Sequence, residues 1–314
     1  MLNNQLKIFL ANPRGYCAGV NRAITILNKV CEKYNNRKIY SYHQIVHNKY
    51  VIDIFEKKGV LFIEDLDLVT PHSVIVFSAH GVSSKVEEIA KKKEDVIVFD
   101  ATCPLVIKIH KEGQKNEQEG YEVILIGHAN HQEVIGIQGR LRKKAILIQS
   151  IDDVDNLRLS NDCKLSYITQ TTLSINDTKK IVAKLKEKFP NIKGQELKDI
   201  CYATQNRQNA VIELAKHVEL IFVIGSKNSS NSNRLYDLAI SEGKIAYLID
   251  SYKEIDTMAL KNISSIGITA GASAPDILVQ DTITFLESLY ETTDIITLNS
   301  KKEGAFFKLP TELE

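Results

Sequence analysis

Residues 96–127 read VIVFDATCPLVIKIHKEGQKNEQEGYEVILIG, and this stretch decides the fold class. VIVFD and EVILIG are short, apolar almost throughout and rich in Val and Ile, the pattern of strands covered on both faces. Between them, residues 105–119 space their apolar side chains for a helix. The same alternation extends outward in both directions. Strand-like runs fall at 7–11, 38–42, 74–78, 145–149, 165–170, 220–225, 245–249 and 263–269. Helical patterns fall at 18–34, 49–58, 85–93, 176–189, 204–217, 234–242 and 275–290. Strands alternating with helices predict an α/β protein with parallel sheets.

Composition narrows the partners. The chain has 314 residues, with 40 Lys+Arg against 39 Asp+Glu, a formal net charge of +1. That balance argues against a general binder of nucleic acid, which carries a basic excess. The short basic run RLRKK at 140–144 is expected to be solvated surface. No apolar run approaches the ~18 residues of a membrane span. MLNNQLKIFLANPRG resembles neither a secretory signal nor a transit peptide, so the expected compartment is the cytoplasm.

Five cysteines are too few and too scattered for a disulfide framework. Three stand before helical patterns: Cys17 in ANPRGYCAG, Cys103 in ATCP and Cys201 in DICYATQNRQ, 86 and 98 residues apart. The spacing suggests a repeat of architecture: a domain at 1–101 carrying Cys17, one at 102–199 carrying Cys103, one at 200–290 carrying Cys201, and a tail at 291–314. Cys31 falls on the stripe Val20, Ile24, Leu27, Cys31 and reads as core, and Cys163 lies in a polar loop with no assigned role. From the residues alone, the three cysteines leave a closed zinc site, an open metal site or no metal at all as alternatives.

Ligands of open α/β sheets bind beyond the carboxyl ends of the strands. The loops there are polar: SAHGVSS with His80, GHANHQEV with His131 and Glu133, TQTTLS with Ser174 and Asp177 spaced as a helix-capping pair, GSKNSSNSNR, and AGASAPD with Pro275 opening a helix. The last two suit a phosphate, because unpaired amides and the helix dipole favour negative charge. No GxxxxGK[ST] or GxGxxG occurs, so a small phosphate ester fits better than a nucleotide. His72, His110 and His217 carry no motif; His43 with His47, or His128 with His131, have zinc-like spacing but no local set of ligands to complete it.

Together ANPRGYCAGV, HQIVHNKYV, FSAHGVS, FDATCPLV, TQTTLS, DICYATQNRQ, GSKNSSNSNRL and TAGASAPDILVQ resemble the 4-hydroxy-3-methylbut-2-enyl diphosphate reductase family, in order from about residue 6 to 290. The resemblance implies three similar parallel-sheet α/β domains in a trefoil-like, pseudo-three-fold arrangement around a central cluster. It implies one [4Fe–4S] cluster held by Cys17, Cys103 and Cys201, with the fourth iron open to substrate. His47, His80, Ser229, Ser230, Asn231 and Ser273 match residues around the substrate diphosphate. Thr171 and His131 match polar groups near its hydroxyl, and Glu133 matches the residue of proton delivery. A ferredoxin or flavodoxin is the implied electron donor, and neither nucleic acid nor membrane is an implied partner. One departure stands out: Gln132 occupies the place where the family usually has Pro, which loosens the expected position of Glu133. A cluster-holding redox sensor and a dehydratase without net electron transfer are the competing readings.

Overall fold

The computed structural model describes residues 5–160, 163–195, 199–298 and 303–313. The chain runs through β1 Gln5–Leu10, α1 Ala18–Lys33, β2 Lys38–Tyr42, α2 Lys49–Lys57, β3 Val60–Ile63, β4 Ser73–Phe77, α3 Ser84–Lys92 and β5 Val96–Asp100. It continues with α4 Pro104–Gln118, β6 Glu122–Ile126, α5 Gln132–Gln138, β7 Ile146–Ile148, α6 Ile151–Asn156, β8 Leu165–Thr169 and α7 Ile175–Lys188. Then follow α8 Tyr202–Ala215, β9 Leu220–Ile224, α9 Ser230–Ser241, β10 Ile245–Ile249, β11 Ser265–Ala270, α10 Asp276–Glu287 and β12 Thr292–Thr297.

The strands form three parallel sheets, ordered β10-β9-β11-β1-β12, β3-β2-β4-β5 and β7-β6-β8. The α/β class expected from the alternation is therefore present. The chain divides into two compact units: Met1–Val20, His47–Ile54 and Tyr202–Phe306 form one, and Asn21–Val46, Phe55–Cys201 and Phe307–Glu314 form the other. The first contains the five-stranded sheet, the second the other two. No helix among the described residues is long and apolar enough to cross a membrane.

Strand β9 shows why its sequence lacks alternation. Leu220, Phe222 and Ile224 pack into one apolar cluster, while Ile221 and Val223 pack into another. Both faces are covered, so every position must be apolar. Each such side chain contributes roughly 1.5–3 kcal/mol by leaving water.

Several sequence expectations shift. VIVFD and EVILI belong to different sheets, so α4 carries the chain from one sheet to the next rather than between neighbouring strands. Strand β1 pairs with β11 and β12, in the sheet of the C-terminal part and not with the strands of residues 38–100. The expected tail thus begins with a strand. Before Cys201, the described residues after α7 hold no strand, only an isolated bridge from Lys193 to Ser166. On α1 the buried stripe is Ala23, Ile26, Leu27 and Val30, one position away from the expected set, and Cys31 is half-buried. Arg140 is not simply solvated; its Nε donates to the Val82 carbonyl at 2.7 Å and Nη1 to Glu87 at 2.5 Å.

Candidate functional site

Within the second unit, the polar centre is Glu133. It is the second residue of α5, and His131 caps that helix by accepting the Glu133 N–H on Nδ1 at 3.2 Å. An Nδ1 that accepts leaves the proton on Nε2, so the imidazole is neutral and presents a donor. The Glu133 carboxylate is 2% exposed, and both its oxygens are engaged by one residue. Thr171 N–H donates to Oε1 at 2.7 Å and Thr171 Oγ1 donates to Oε2 at 2.8 Å. Burial nevertheless dominates these two bonds and pushes the Glu133 carboxyl up to about 7. Gln132 occupies the first helical position, where Pro is favoured because its N–H has no helical partner. The Thr171 bonds fix Glu133 without it.

Thr171 follows β8, and its carbonyl accepts the Cys201 N–H at 3.1 Å, which joins the carboxylate to a cysteine through one residue. Gln170, which nothing in the local sequence singles out, accepts the His128 N–H at 3.0 Å and donates to Thr172 at 2.9 Å. It holds the loops after β6 and β8 in register. His80 stands edge-on to His131 with ring centroids 5.9 Å apart. Cys103 donates its N–H to the Ala79 carbonyl at 3.0 Å, next to His80. His110, without a motif in the sequence, lies buried beneath Gly81, and burial followed by the nearby Arg140 charge lowers it to about 4. A Cβ on Gly81 would come within 2.8 Å of that ring, and its φ is +81°, so only glycine suits the position.

In the first unit, the polar loops after β9 and β11 pack together. Ser229 caps α9, accepting the Ser232 N–H at 3.3 Å and the Ser232 hydroxyl at 3.0 Å. Asn231 Oδ1 accepts the Ala272 N–H at 2.8 Å, while its buried Nδ2 has no hydrogen-bond partner among the described residues. Ser273 Oγ donates to the His47 carbonyl at 2.9 Å, and Asn228 Nδ2 lies 3.4 Å from His47 Nδ1. Ser230 begins α9. Cys17 donates its N–H to the Ala272 carbonyl at 3.2 Å, and its Sγ receives the Val20 N–H at 3.5 Å. A buried donor without a partner costs free energy unless a ligand fills it, and a helix N-terminus favours an anionic one.

Ser174 caps α7 through the Asp177 N–H, as the spacing predicts, and Pro275 is the cap of α10 rather than its first residue. His72 pairs with Asp95 and His217 with Glu213. Cys163 has a neighbour the sequence did not suggest: its Sγ lies 3.2 Å from the Glu122 carboxylate. No disulfide links any of the five cysteines. Cys17, Cys103 and Cys201 each stand immediately before the first residue of a helix. Cysteine sulfur is the donor type that iron–sulfur clusters take. Among the described residues, no three His, Cys, Asp or Glu side chains are already grouped as a metal site.

The family described as LytB protein matches residues 8–287. A relative from Wolbachia sp. subsp. Brugia malayi (strain TRS) is 52% identical over 307 residues, covering 97% of this chain and 99% of its own. One from Ehrlichia ruminantium (strain Gardel) is 50% identical over 313 residues, 99% of this chain and 94% of its own. Both are named 4-hydroxy-3-methylbut-2-enyl diphosphate reductase. The solved structure of the E-1-hydroxy-2-methyl-but-2-enyl-4-diphosphate reductase from Plasmodium falciparum superposes with a TM-score of 0.93 at 38% identity, covering 99% of this chain and 97% of that one.

Proposed function

The chain belongs to the LytB family, and from that premise we propose that Glu133 delivers the proton in a reductive removal of an allylic hydroxyl. The reaction is the reduction of 4-hydroxy-3-methylbut-2-enyl diphosphate to isopentenyl and dimethylallyl diphosphate in the non-mevalonate pathway. Two electrons and two protons enter, and the hydroxyl leaves as water. Enzymes of this family are iron–sulfur proteins. The three cysteines Cys17, Cys103 and Cys201 are the residues that would hold a [4Fe–4S] cluster, leaving its fourth iron open. When bound, that cluster supplies the two electrons and Lewis-acid polarisation of the allylic C–O bond.

The remaining work falls to side chains of this chain. The observation that carries the reading is the buried Glu133 carboxyl, held by Thr171 and raised to about 7, so that it carries an exchangeable proton near neutral pH. Thr171 can relay that proton, since a hydroxyl can accept from the protonated Glu133 carboxyl on a lone pair while donating its own O–H to the departing oxygen. His131 adds a neutral donor beside it. Ser229, Ser230, Asn231, Ser273 and His47 hold the diphosphate, with His80 contributing from its own loop. Fixing the substrate by this remote anionic handle orients the carbon–oxygen bond that breaks. A ferredoxin- or flavodoxin-type protein supplies the electrons, and the reduced cysteines suit the cytoplasm.

The test is anaerobic turnover with a low-potential reductant. Two electrons are consumed per substrate, and two isomeric five-carbon diphosphates form. Turnover that proceeds without reductant would establish a dehydratase instead, and a chain that binds iron and turns nothing over would establish a sensor.

The diphosphate assignment has its own test in Asn231→Asp. The variant keeps the oxygen that accepts from Ala272 but replaces the unpartnered N–H donor with a second carboxylate oxygen. A lost hydrogen bond to a charged group is worth about 1.5–3 kcal/mol, so KM rises by at least roughly 10-fold, with the melting midpoint unchanged. A parental KM removes Asn231 from the cradle.

A further inference from the structure

The C-terminal segment carries no motif, yet in each unit it is joined by an arginine to the peptide carbonyl just before a cysteine. The geometry points to a positioning role: residues 303–313 set the Cys17 loop through Arg207 and the Cys103 loop through Arg22. This rests on the reading of Cys17 and Cys103 as cluster ligands.

In the first unit, Arg207 on α8 is fully buried. Its Nε and Nη2 donate to the Gly15 carbonyl at 3.0 and 2.7 Å, and Nη2 also reaches the Tyr16 carbonyl at 3.3 Å. Nη1 donates to the two carboxylate oxygens of Glu303 at 3.0 and 3.2 Å. Asn206 Nδ2 donates to the same carboxylate at 3.0 Å. A guanidinium out of water needs a counter-charge, and Glu303 is the one paired with it. Its planar fork can then fix two consecutive carbonyls. The residue after them is Cys17.

In the second unit, Arg22 on α1 donates from Nε to the Lys308 carbonyl at 2.8 Å and from Nη1 to the Thr102 carbonyl at 3.2 Å. Thr102 is itself pinned, its N–H donating to Asp100 at 2.9 Å, and the residue after it is Cys103. The segment is anchored beyond this point by Lys33 Nζ on the Glu312 carbonyl at 2.6 Å and by the buried Leu313. Orienting the peptide that precedes a ligand orients its Cα–Cβ bond, and so the direction in which the thiolate points. Cys201 is held differently, through Thr171.

The test uses anaerobically prepared holoenzyme carrying Glu303→Gln, Arg22→Lys, Cys17→Ser or Cys31→Ala, with iron release to a chelator and the electron paramagnetic resonance spectrum of the reduced cluster as readouts. Loss of an outer partner typically weakens metal binding by at least about 10-fold. Glu303→Gln and Arg22→Lys are therefore expected to release iron roughly 10-fold faster and to alter the spectrum. Cys31→Ala, away from both loops, keeps the parental rate and spectrum. If the buried Arg207 leaves Glu303→Gln unable to fold, Arg22→Lys decides alone. Parental release and spectra in the folded variants overturn the proposal, whereas parental iron content in Cys17→Ser overturns the ligand reading itself.

Discussion

Glu133→Gln lowers kcat by about 10²–10⁴-fold, the range that a positioned acid or base contributes, while KM for the diphosphate changes little. Gln is isosteric, and its amide oxygen can still accept from Thr171 N–H. The Thr171 hydroxyl can rotate to accept from the amide, so the fold is retained. What disappears is the ionisable proton. In the parent enzyme the carboxyl is raised to about 7 by burial, so kcat falls as pH climbs through that value, because the acid form is lost. The Gln variant lacks this alkaline limb. Stability follows the same sign: between the ordinary 4.5 and about 7 the folded chain binds the proton that the unfolded chain has released. The contribution of Glu133 to stability is thus fully present below about 4.5 and is lost as pH rises through about 7. Steady-state rates from pH 5.5 to 8.5 under saturating reductant check this, and a Gln variant with parental kcat and an intact limb would remove Glu133 from the chemistry.

Cys17→Ser, Cys103→Ser and Cys201→Ser each lose the iron–sulfur cluster and, with it, reductase turnover. Serine keeps the size of the residue and suits a helix N-terminus, but its hydroxyl stays protonated near pH 7 and is a poor ligand for iron, which favours thiolate. The fold should survive, since each backbone N–H bond, to Ala272, Ala79 and Thr171 respectively, is independent of the side chain. Cys31→Ala behaves differently. The residue is half-buried on α1, its thiol raised chiefly by burial, and its truncation costs about 1 kcal/mol in a urea melt with colour intact. Iron and sulfide analysis after anaerobic purification separates the two groups. A Ser variant that keeps full iron, or a bleached Cys31→Ala, breaks the division into three ligands and two bystanders.

The position of Glu133 shows what a local pattern reaches. H-x-E after a strand marks a candidate pair, but nothing in GHANHQEV reveals that Thr171 will close on both carboxylate oxygens from 38 residues away. The elevated acidity comes from burial, which is a property of the packed loops. The neutral tautomer of His131 likewise follows from a backbone amide placed by the start of α5. That helix, only 7 residues long, is too short for periodicity to expose.

The edges of the sheets were equally hidden. Strand β12 reads TTDIIT with four of its six positions exposed and none buried, as suits the outer strand of a sheet. Strand β3 has only four residues, too short an apolar run for periodicity to tell strand from helix. The pairing of β1 with β11 joins Lys7 to Ser265, a relation that periodicity along the chain cannot encode.

Burial acts on every residue of an interior strand or helix face, so it leaves a periodic record in the chain. The α/β class, the cysteines before helices and the polar loops at strand ends were legible for that reason. Hydrogen bonds and ion pairs between distant residues leave no such record, because each depends on where two unrelated stretches meet in space. The Glu133–Thr171 pair, the cradle around Asn231 and the buried Arg207–Glu303 bridge were decided only when the chain folded.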